Sequence, residues 1–221
     1  MDKIITIDGP SGVGKGTLAK RLACHLAWHF LDSGVLYRAT GYASLKAGVL
    51  PDDVSRVAAL AKTLPLRFAG DEIFLDDENI TEIVRQEEIG NLASKVGAHL
   101  EVRQALDEKQ RSFAKAPGLV ADGRDMGTEI FPHAQYKFYL TATAKERARR
   151  RFSQLHARGI HVRMPDLLQE IEERDHRDTT RSVRPLRPAE DAVVIDTSSL
   201  TVDEVFNTVL AKIGEASLSN L

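Results

Sequence analysis

The chain has 221 residues, with 30 Lys and Arg against 32 Asp and Glu and a formal charge of −2. That length allows one large core with a small inserted subdomain. The near balance of charge gives no reason to expect a nucleic-acid polymer or a membrane surface as partner. One cysteine, Cys24, excludes an internal disulfide and a cysteine-based zinc site, which fits a reducing cytoplasm. Cys24 falls in the first helical stretch and reads as a small packing residue. No apolar run reaches membrane-spanning length.

In chain order, Ile4-Ile5-Thr6-Ile7 reads as a buried strand, entered directly after Met1-Asp2-Lys3 with no signal-peptide pattern. Leu18, Leu22 and Leu26 mark one face of a helix. Between them lies Gly9-Pro10-Ser11-Gly12-Val13-Gly14-Lys15-Gly16-Thr17. Its glycines let backbone N–H groups turn inward on phosphate oxygens, the helix N-terminus adds partial positive charge, and Lys15 reaches the β- and γ-phosphates. The stretch is a cradle for a nucleoside triphosphate. The usual form of this motif has a hydroxyl directly after the lysine; here Gly16 stands there and Thr17 follows, which leaves metal ligation by Thr17 open.

Trp28–Asp32 reads as a second core strand ending in a carboxylate, and ligands of open α/β sheets sit at such ends, so Asp32 is a candidate on the metal side. Ser33-Gly34 opens a helix carrying Tyr37 and Arg38, with Ser33 the candidate N-cap. Capping alone for Ser33 and a solvated face for Arg38 are the competing readings. Residues 49–63 read as another helix, begun by Leu50-Pro51-Asp52-Asp53. Leu66–Ala69, Ile73–Leu75 and Asn79–Thr81 around Gly70-Asp71-Glu72 look like a small antiparallel sheet, foreign to a regular strand–helix alternation and therefore an insertion. Helical spacing returns at Ile89, Leu92, Val96, Val102 and Leu106, runs to about Ala114 and bears Ser94 and Arg103, until Pro117-Gly118 stops it.

Gly118–Asp122 is an apolar strand ending in aspartate, the arrangement in which a carboxylate orients Mg²⁺ or its waters; turn formation is the competing reading for Asp122. Gly123-Arg124-Asp125-Met126-Gly127-Thr128 follows as a loop. Tyr136–Leu140 is a fourth strand, and Thr143-Ala144-Lys145-Glu146 is a capping box for a helix ending near Arg158-Gly159. Arginines then crowd the sequence. Arg147, Arg149 and Arg158 read as a solvated face, whereas the concentration through Arg150, Arg151, Arg163, Arg174, Arg177, Arg181, Arg184 and Arg187 suits bidentate grips on phosphate. Arg174, Asp178 and Arg181, spaced four and three apart, share one face of a continuous helix, as a ladder of salt bridges also would. Ala192–Asp196 is a fifth strand, Thr201-Val202-Asp203-Glu204 caps a last amphipathic helix, and the tail from Ser217 is expected to fray. The seven histidines form neither a metal cluster nor a Ser-His-Asp arrangement by spacing.

The phosphate loop, the segment Leu31-Asp32-Ser33-Gly34 to Tyr37-Arg38, the run Ala121–Thr128 and Glu173-Arg174-Asp175 through Asp178 to Arg181 together resemble the bacterial cytidylate kinases, essentially end to end. The fold that this implies is α/β: a P-loop NTPase fold with a five-stranded parallel sheet in the order 2-3-1-4-5, a small antiparallel sheet inserted in the acceptor-binding region, and a short lid. The expected layout is a single kinase unit over 1–221, its core at 1–32, 115–150 and 175–221, an acceptor-binding insertion at about 33–114 with the hairpin at 65–81, and the lid at 151–166. The resemblance implies transfer of the γ-phosphoryl group of ATP to CMP or dCMP with Mg²⁺. It implies that Gly9 to Thr17 and Arg150 bind ATP, and that Ser33, Tyr37, Arg38, Ser94, Arg103, Arg124, Asp125, Arg174, Asp178 and Arg181 bind CMP. Lys15, Arg124, Arg174 and Asp178 would serve the transfer itself, with Asp32 and, through water, Asp122 on the metal side. Each arginine offsets repulsion between two anions meeting in line, and an arginine finger is worth about 10³–10⁵ in rate. A kinase of another nucleotide or small metabolite, or a nucleotide-dependent switch, are the alternatives; the absence of a guanine-reading N-K-x-D motif speaks against the switch. A cytoplasmic monomer is expected.

Overall fold

The computed structural model describes residues 3–218. It divides into two units: among the described residues, 3–31, 113–180 and 184–218 form the first, and residues 32–112 with 181–183 the second.

The first unit is built on a five-stranded sheet in the order β2-β6-β1-β7-β8, with β1 at Ile4–Asp8, β2 at His29–Asp32, β6 at Leu119–Gly123, β7 at Tyr136–Thr141 and β8 at Val193–Asp196. Numbered as core strands alone, this is the order 2-3-1-4-5. The central strand β1 pairs parallel with β6 and β7, and Ile5, Thr6 and Ile7 are fully buried. A strand covered on both faces shows a run of apolar residues, which is why Ile4–Ile7 carries no polar alternation. Helices α1 (Lys15–Leu26) and α8 (Val202–Leu218) place Leu18, Leu22, Val205, Phe206 and Val209 against Ile5, Ile7, Phe138 and Leu140. Each such side chain contributes about 1.5–3 kcal/mol on burial. Trp28 packs on this core and lies so close over Gly118 that a Cβ there would sit 2.5 Å from the indole ring. The register sets Ile7 beside Asp122 and beside Phe138, so the ends of β1, β6 and β7 fall on one edge of the sheet. Ligands of parallel α/β sheets bind at that edge.

Helices α6 (Ala144–Ala157) and α7 (Met164–Thr180) complete this unit. The capping box at α8 forms in full, Thr201 and Glu204 bonding reciprocally at 3.2 and 2.7 Å. At α6 only half of the expected box forms, Glu146 N–H donating to Thr143 Oγ1 at 3.2 Å, while Thr143 N–H donates to Ser198 Oγ at 3.1 Å and the Glu146 carboxylate takes Arg149 and Arg150.

The second unit contains α2 (Ser33–Lys46), α3 (Val54–Lys62), the antiparallel sheet β3-β4-β5 (Leu66–Ala69, Glu72–Leu75, Glu78–Asn79), α4 (Glu87–Val96) and α5 (Leu100–Arg111). Its core joins Val35 and Ala39 of α2 to Ile73 and Leu75 of β4 and to Leu64, Ile80 and Val84. On the surface, Glu78 accepts hydrogen bonds from Tyr42 at 2.7 Å and Lys46 at 2.8 Å, tying the small sheet to α2.

Six expectations are corrected. The helix expected over 49–63 starts only at Val54, because Asp53 caps it, accepting from Arg56 N–H at 3.3 Å. The single helix expected from Ile89 to Ala114 is two, broken at 97–99, where the chain leaves helical geometry and His99 is extended. The loop after Gly123 contains a π-helical turn, Met126–Ile130. Helix α7 ends at Thr180, so Arg181 stands beyond it and does not share its face with Arg174 and Asp178. Cys24 is exposed, so it is no packing residue. The tail expected to fray from Ser217 is helical to Leu218, and residues 219–221 lie outside the described residues.

Candidate active site

At the edge of the first unit's sheet the chain leaves β1 and turns through residues 9–14 into α1. Gly9 has φ +145°, and a Cβ on it would lie 2.2 Å from the Leu140 carbonyl oxygen, so only glycine fits. Gly14, the N-cap of α1, has φ 95°. Three loop carbonyls are held from outside: Pro10 O accepts from Lys15 Nζ at 2.8 Å, Ser11 O from Arg147 Nη1 at 3.1 Å, and Val13 O from Thr197 Oγ1 at 3.3 Å. Lys15 is buried, with Nζ 3.9 Å from Asp122 Oδ1. Loop amides at a helix N-terminus plus a desolvated ammonium form an anion site.

Beside residues 12–18 opens a cavity of about 570 Å³, walled by Arg149, Arg150, Gln154, Thr197, Leu200 and Val205. Arg150 is held there by Glu146 Oε1 at 2.9 Å and by Thr197. Sequence reading had found Arg150 but missed Thr197, Leu200 and Val205. Their signal is positional: they follow the C-terminal end of β8, the edge where ligands of such sheets bind.

Asp8 also escaped the sequence reading. Fully enclosed at the end of β1, its carboxylate accepts from Met126 N–H at 2.9 Å and Gly127 N–H at 2.8 Å. Burial pushes its pKa up to about 6; the two amides and Lys15 oppose that shift, and the charge of Asp125 adds to it. Next to this anchored turn, Arg124 Nε donates to Asp178 Oδ2 of α7 at 3.2 Å, and Asp125, 1 % exposed, has Arg184 at 3.9 Å. Arg184 also faces Glu129 at 3.7 Å. Arg174 is half-buried one helical turn before Asp178, whereas Thr17 is exposed on α1.

The structure overturns one reading outright: Arg147 is no solvated arginine. It is 3 % exposed and forks onto Asp175 of α7.

In the second unit the N-cap of α2 is Asp32, which accepts from Val35 N–H at 3.3 Å; Ser33 is instead the first helical residue, and buried. Arg38 is pinned by two carbonyls, Val84 O at 2.7 Å and Gln86 O at 3.1 Å. Arg103 is 2 % exposed, donates to Gly97 O at 2.8 Å and lies 5.1 Å from the centre of the Tyr37 ring, a cation–π pair. Thus the break between α4 and α5, unseen in the sequence, supplies the carbonyl that orients Arg103. Ser94 is half-buried on α4, and Arg181 is half-buried in the 181–183 segment of this unit.

Among the described residues no group of three or more His, Cys, Asp or Glu could hold a metal ion. A magnesium ion that keeps most of its waters and is carried by phosphate needs only one or two carboxylates, and buried Asp122 fits that demand. Asp32 already uses an oxygen to cap α2.

A family model described as cytidylate kinase matches residues 5–215. Curated relatives agree with it. A cytidylate kinase of Methylococcus capsulatus is 54 % identical over 211 residues, covering 94 % of this chain and 95 % of the relative. One from Nitrosococcus oceani is 49 % identical over 94 % of each chain, and one from Aeromonas salmonicida 48 % identical over 99 % of each. With a model spanning nearly its whole length and relatives near half identity end to end, this chain belongs to the cytidylate kinase family.

Proposed function

We propose that the protein transfers the γ-phosphoryl group of ATP to CMP or dCMP, giving ADP and CDP or dCDP. The observation that carries this reading is the phosphate loop, with Lys15 buried beside Asp122, in a chain of this family. ATP would lie with its triphosphate on residues 9–17 and its nucleoside in the cavity walled by Arg150 and Thr197. The acceptor would be gripped by Arg38 and Arg124 at its phosphate, and read by Ser33, Arg103, Asp125 and Arg181, with Tyr37 and Ser94 near them. Arg174 and Asp178 would serve the ribose or the phosphoryl group in flight.

An acceptor phosphate oxygen is already a nucleophile, so no side chain has to remove a proton. The work is positioning and charge neutralisation: loop amides and Lys15 hold the leaving diphosphate, and guanidinium groups meet the charge spreading over the transferred group. Mg²⁺, where carried by the triphosphate, supplies further neutralisation, and Asp122 would hold one of its waters. Residues 151–166, the end of α6 and the start of α7, would act as a lid that excludes water, which otherwise competes as acceptor. No helix is long and apolar enough to cross a membrane among the described residues, and a cytoplasmic monomer is the state proposed.

A coupled assay of ADP release across the nucleoside monophosphates tests this. Turnover concentrated on CMP and dCMP is expected; equal rates on all acceptors, or ATP hydrolysis indifferent to any of them, would overturn it.

A further inference from the structure

Arg147 is not among the residues assigned above to the substrates, yet it makes four hydrogen bonds beside and to the phosphate loop. Its Nε donates to Ala142 O at 3.1 Å, just past β7. Its Nη1 donates both to Ser11 O at 3.1 Å and to Asp175 Oδ1 at 3.0 Å, while Nη2 closes the fork on Asp175 Oδ2. The side chain is 4 % exposed. The loop rests on it: a Cβ on Gly12 would lie 3.3 Å from Arg147 Cβ.

The Ser11 carbonyl belongs to the same planar unit as the Gly12 N–H, and in a trans peptide the two point in opposite directions. Holding the carbonyl on the protein side therefore aims the amide to the other side, where phosphates on residues 9–17 would meet it. A lone loop peptide could flip; one bonded to a buried, forked guanidinium resists it. Asp175, in turn, sits on α7 between Arg174 and Asp178, and Asp178 holds Arg124. One short stretch of α7 is thus tied both to the triphosphate loop, through Asp175 and Arg147, and to the turn carrying Arg124.

We infer that Arg147 is a positioning residue: it sets the Ser11–Gly12 peptide for triphosphate binding, and through Asp175 it makes that setting depend on the position of α7. The inference rests on the reading of residues 9–17 as the ATP site, which ATP binding by the unaltered protein tests by itself.

The test compares the full-length protein with Arg147→Met, Arg147→Lys and Asp175→Asn, measuring dissociation constants for ATP, AMP and CMP alongside thermal unfolding. Arg147→Met is expected to weaken ATP by about 10-fold or more, as loss of a charge-assisted hydrogen-bond set does, and Asp175→Asn by about 3-fold to 10-fold. AMP, which does not fill the triphosphate site, and CMP are expected to change by less than about 2-fold. Arg147→Lys, which keeps the charge but not the fork, should recover only part of the ATP affinity. Lowered melting temperatures with ATP affinity intact, or equal weakening of ATP, AMP and CMP, would show that the arginine only stabilises the fold. Should Arg147→Met not fold, Asp175→Asn decides alone, its side chain being 25 % exposed and the change isosteric.

Discussion

On the proposed reading, the two units would bind anions by opposite means. In the first, the grip is backbone: the N–H groups of the stretch from Gly9 to Thr17, Pro10 excepted, would meet the phosphates, and the side chains of Lys15 on α1, Arg147 on α6 and Thr197 after β8 hold the loop carbonyls. In the second, the grip is side chain: Arg38 and Arg103 carry the charge, and backbone carbonyls from 46 and 6 residues away fix where the guanidinium groups point. Recognition by main chain is local along the sequence and tolerates little substitution. Recognition by guanidinium groups is assembled from afar and fails one arginine at a time.

That contrast can be broken or sharpened by experiment. Lys15→Met removes the one side-chain charge of the loop and should lower kcat by about 10²–10³ or more in the coupled assay; a variant retaining a tenth of the activity would deny the loop its role. Gly9→Ala attacks the backbone itself. With a Cβ 2.2 Å from Leu140 O and a positive φ, it should cost on the order of 2–4 kcal/mol of stability in urea unfolding, and loss of ATP affinity should accompany it. Arg181→Ala should raise the KM for CMP or lower kcat by about 10-fold to 100-fold and leave the KM for ATP nearly unchanged; equal losses for both nucleotides would erase the division of labour.

The last prediction concerns Asp8. Its pKa is raised from 3.8 to about 6 in the folded state, so folding is favoured by proton uptake here: that contribution is fully present below pH 3.8 and is lost as pH rises through about 6. The stability of the native protein relative to Asp8→Asn should therefore fall by on the order of 2–3 kcal/mol between pH 3.8 and 7. A flat difference across that range would mean that the carboxyl is not strained by burial.

The same contrast explains what the sequence made legible. A backbone site leaves a contiguous trace, and so the phosphate loop, the strand order and the inserted sheet could be read from spacing, turn residues and the resemblance they carry. The break at 97–99 was less legible, although Val96 and Val102 are six apart, a spacing no single helical stripe allows. Arg147 was misread because its neighbours Glu146, Arg149 and Arg150 are charged. Its adjacency to Ala148, on the buried face with Leu155, was the signal that helical phase offered. Asp8 and Thr197 act through bonds to segments more than a hundred residues away, which no local pattern records.

The chain contains one tryptophan, Trp28, and its indole lies flat against Gly118 at the edge of the large sheet. Nature has thereby installed a single optical reporter on one side of the division drawn above. Emission excited selectively from it will follow the melting of the β2–β6 edge and remain silent to loosening confined to the insertion, so a two-step denaturation seen by circular dichroism but in one step by fluorescence would reveal that the halves of this kinase come apart at different cost.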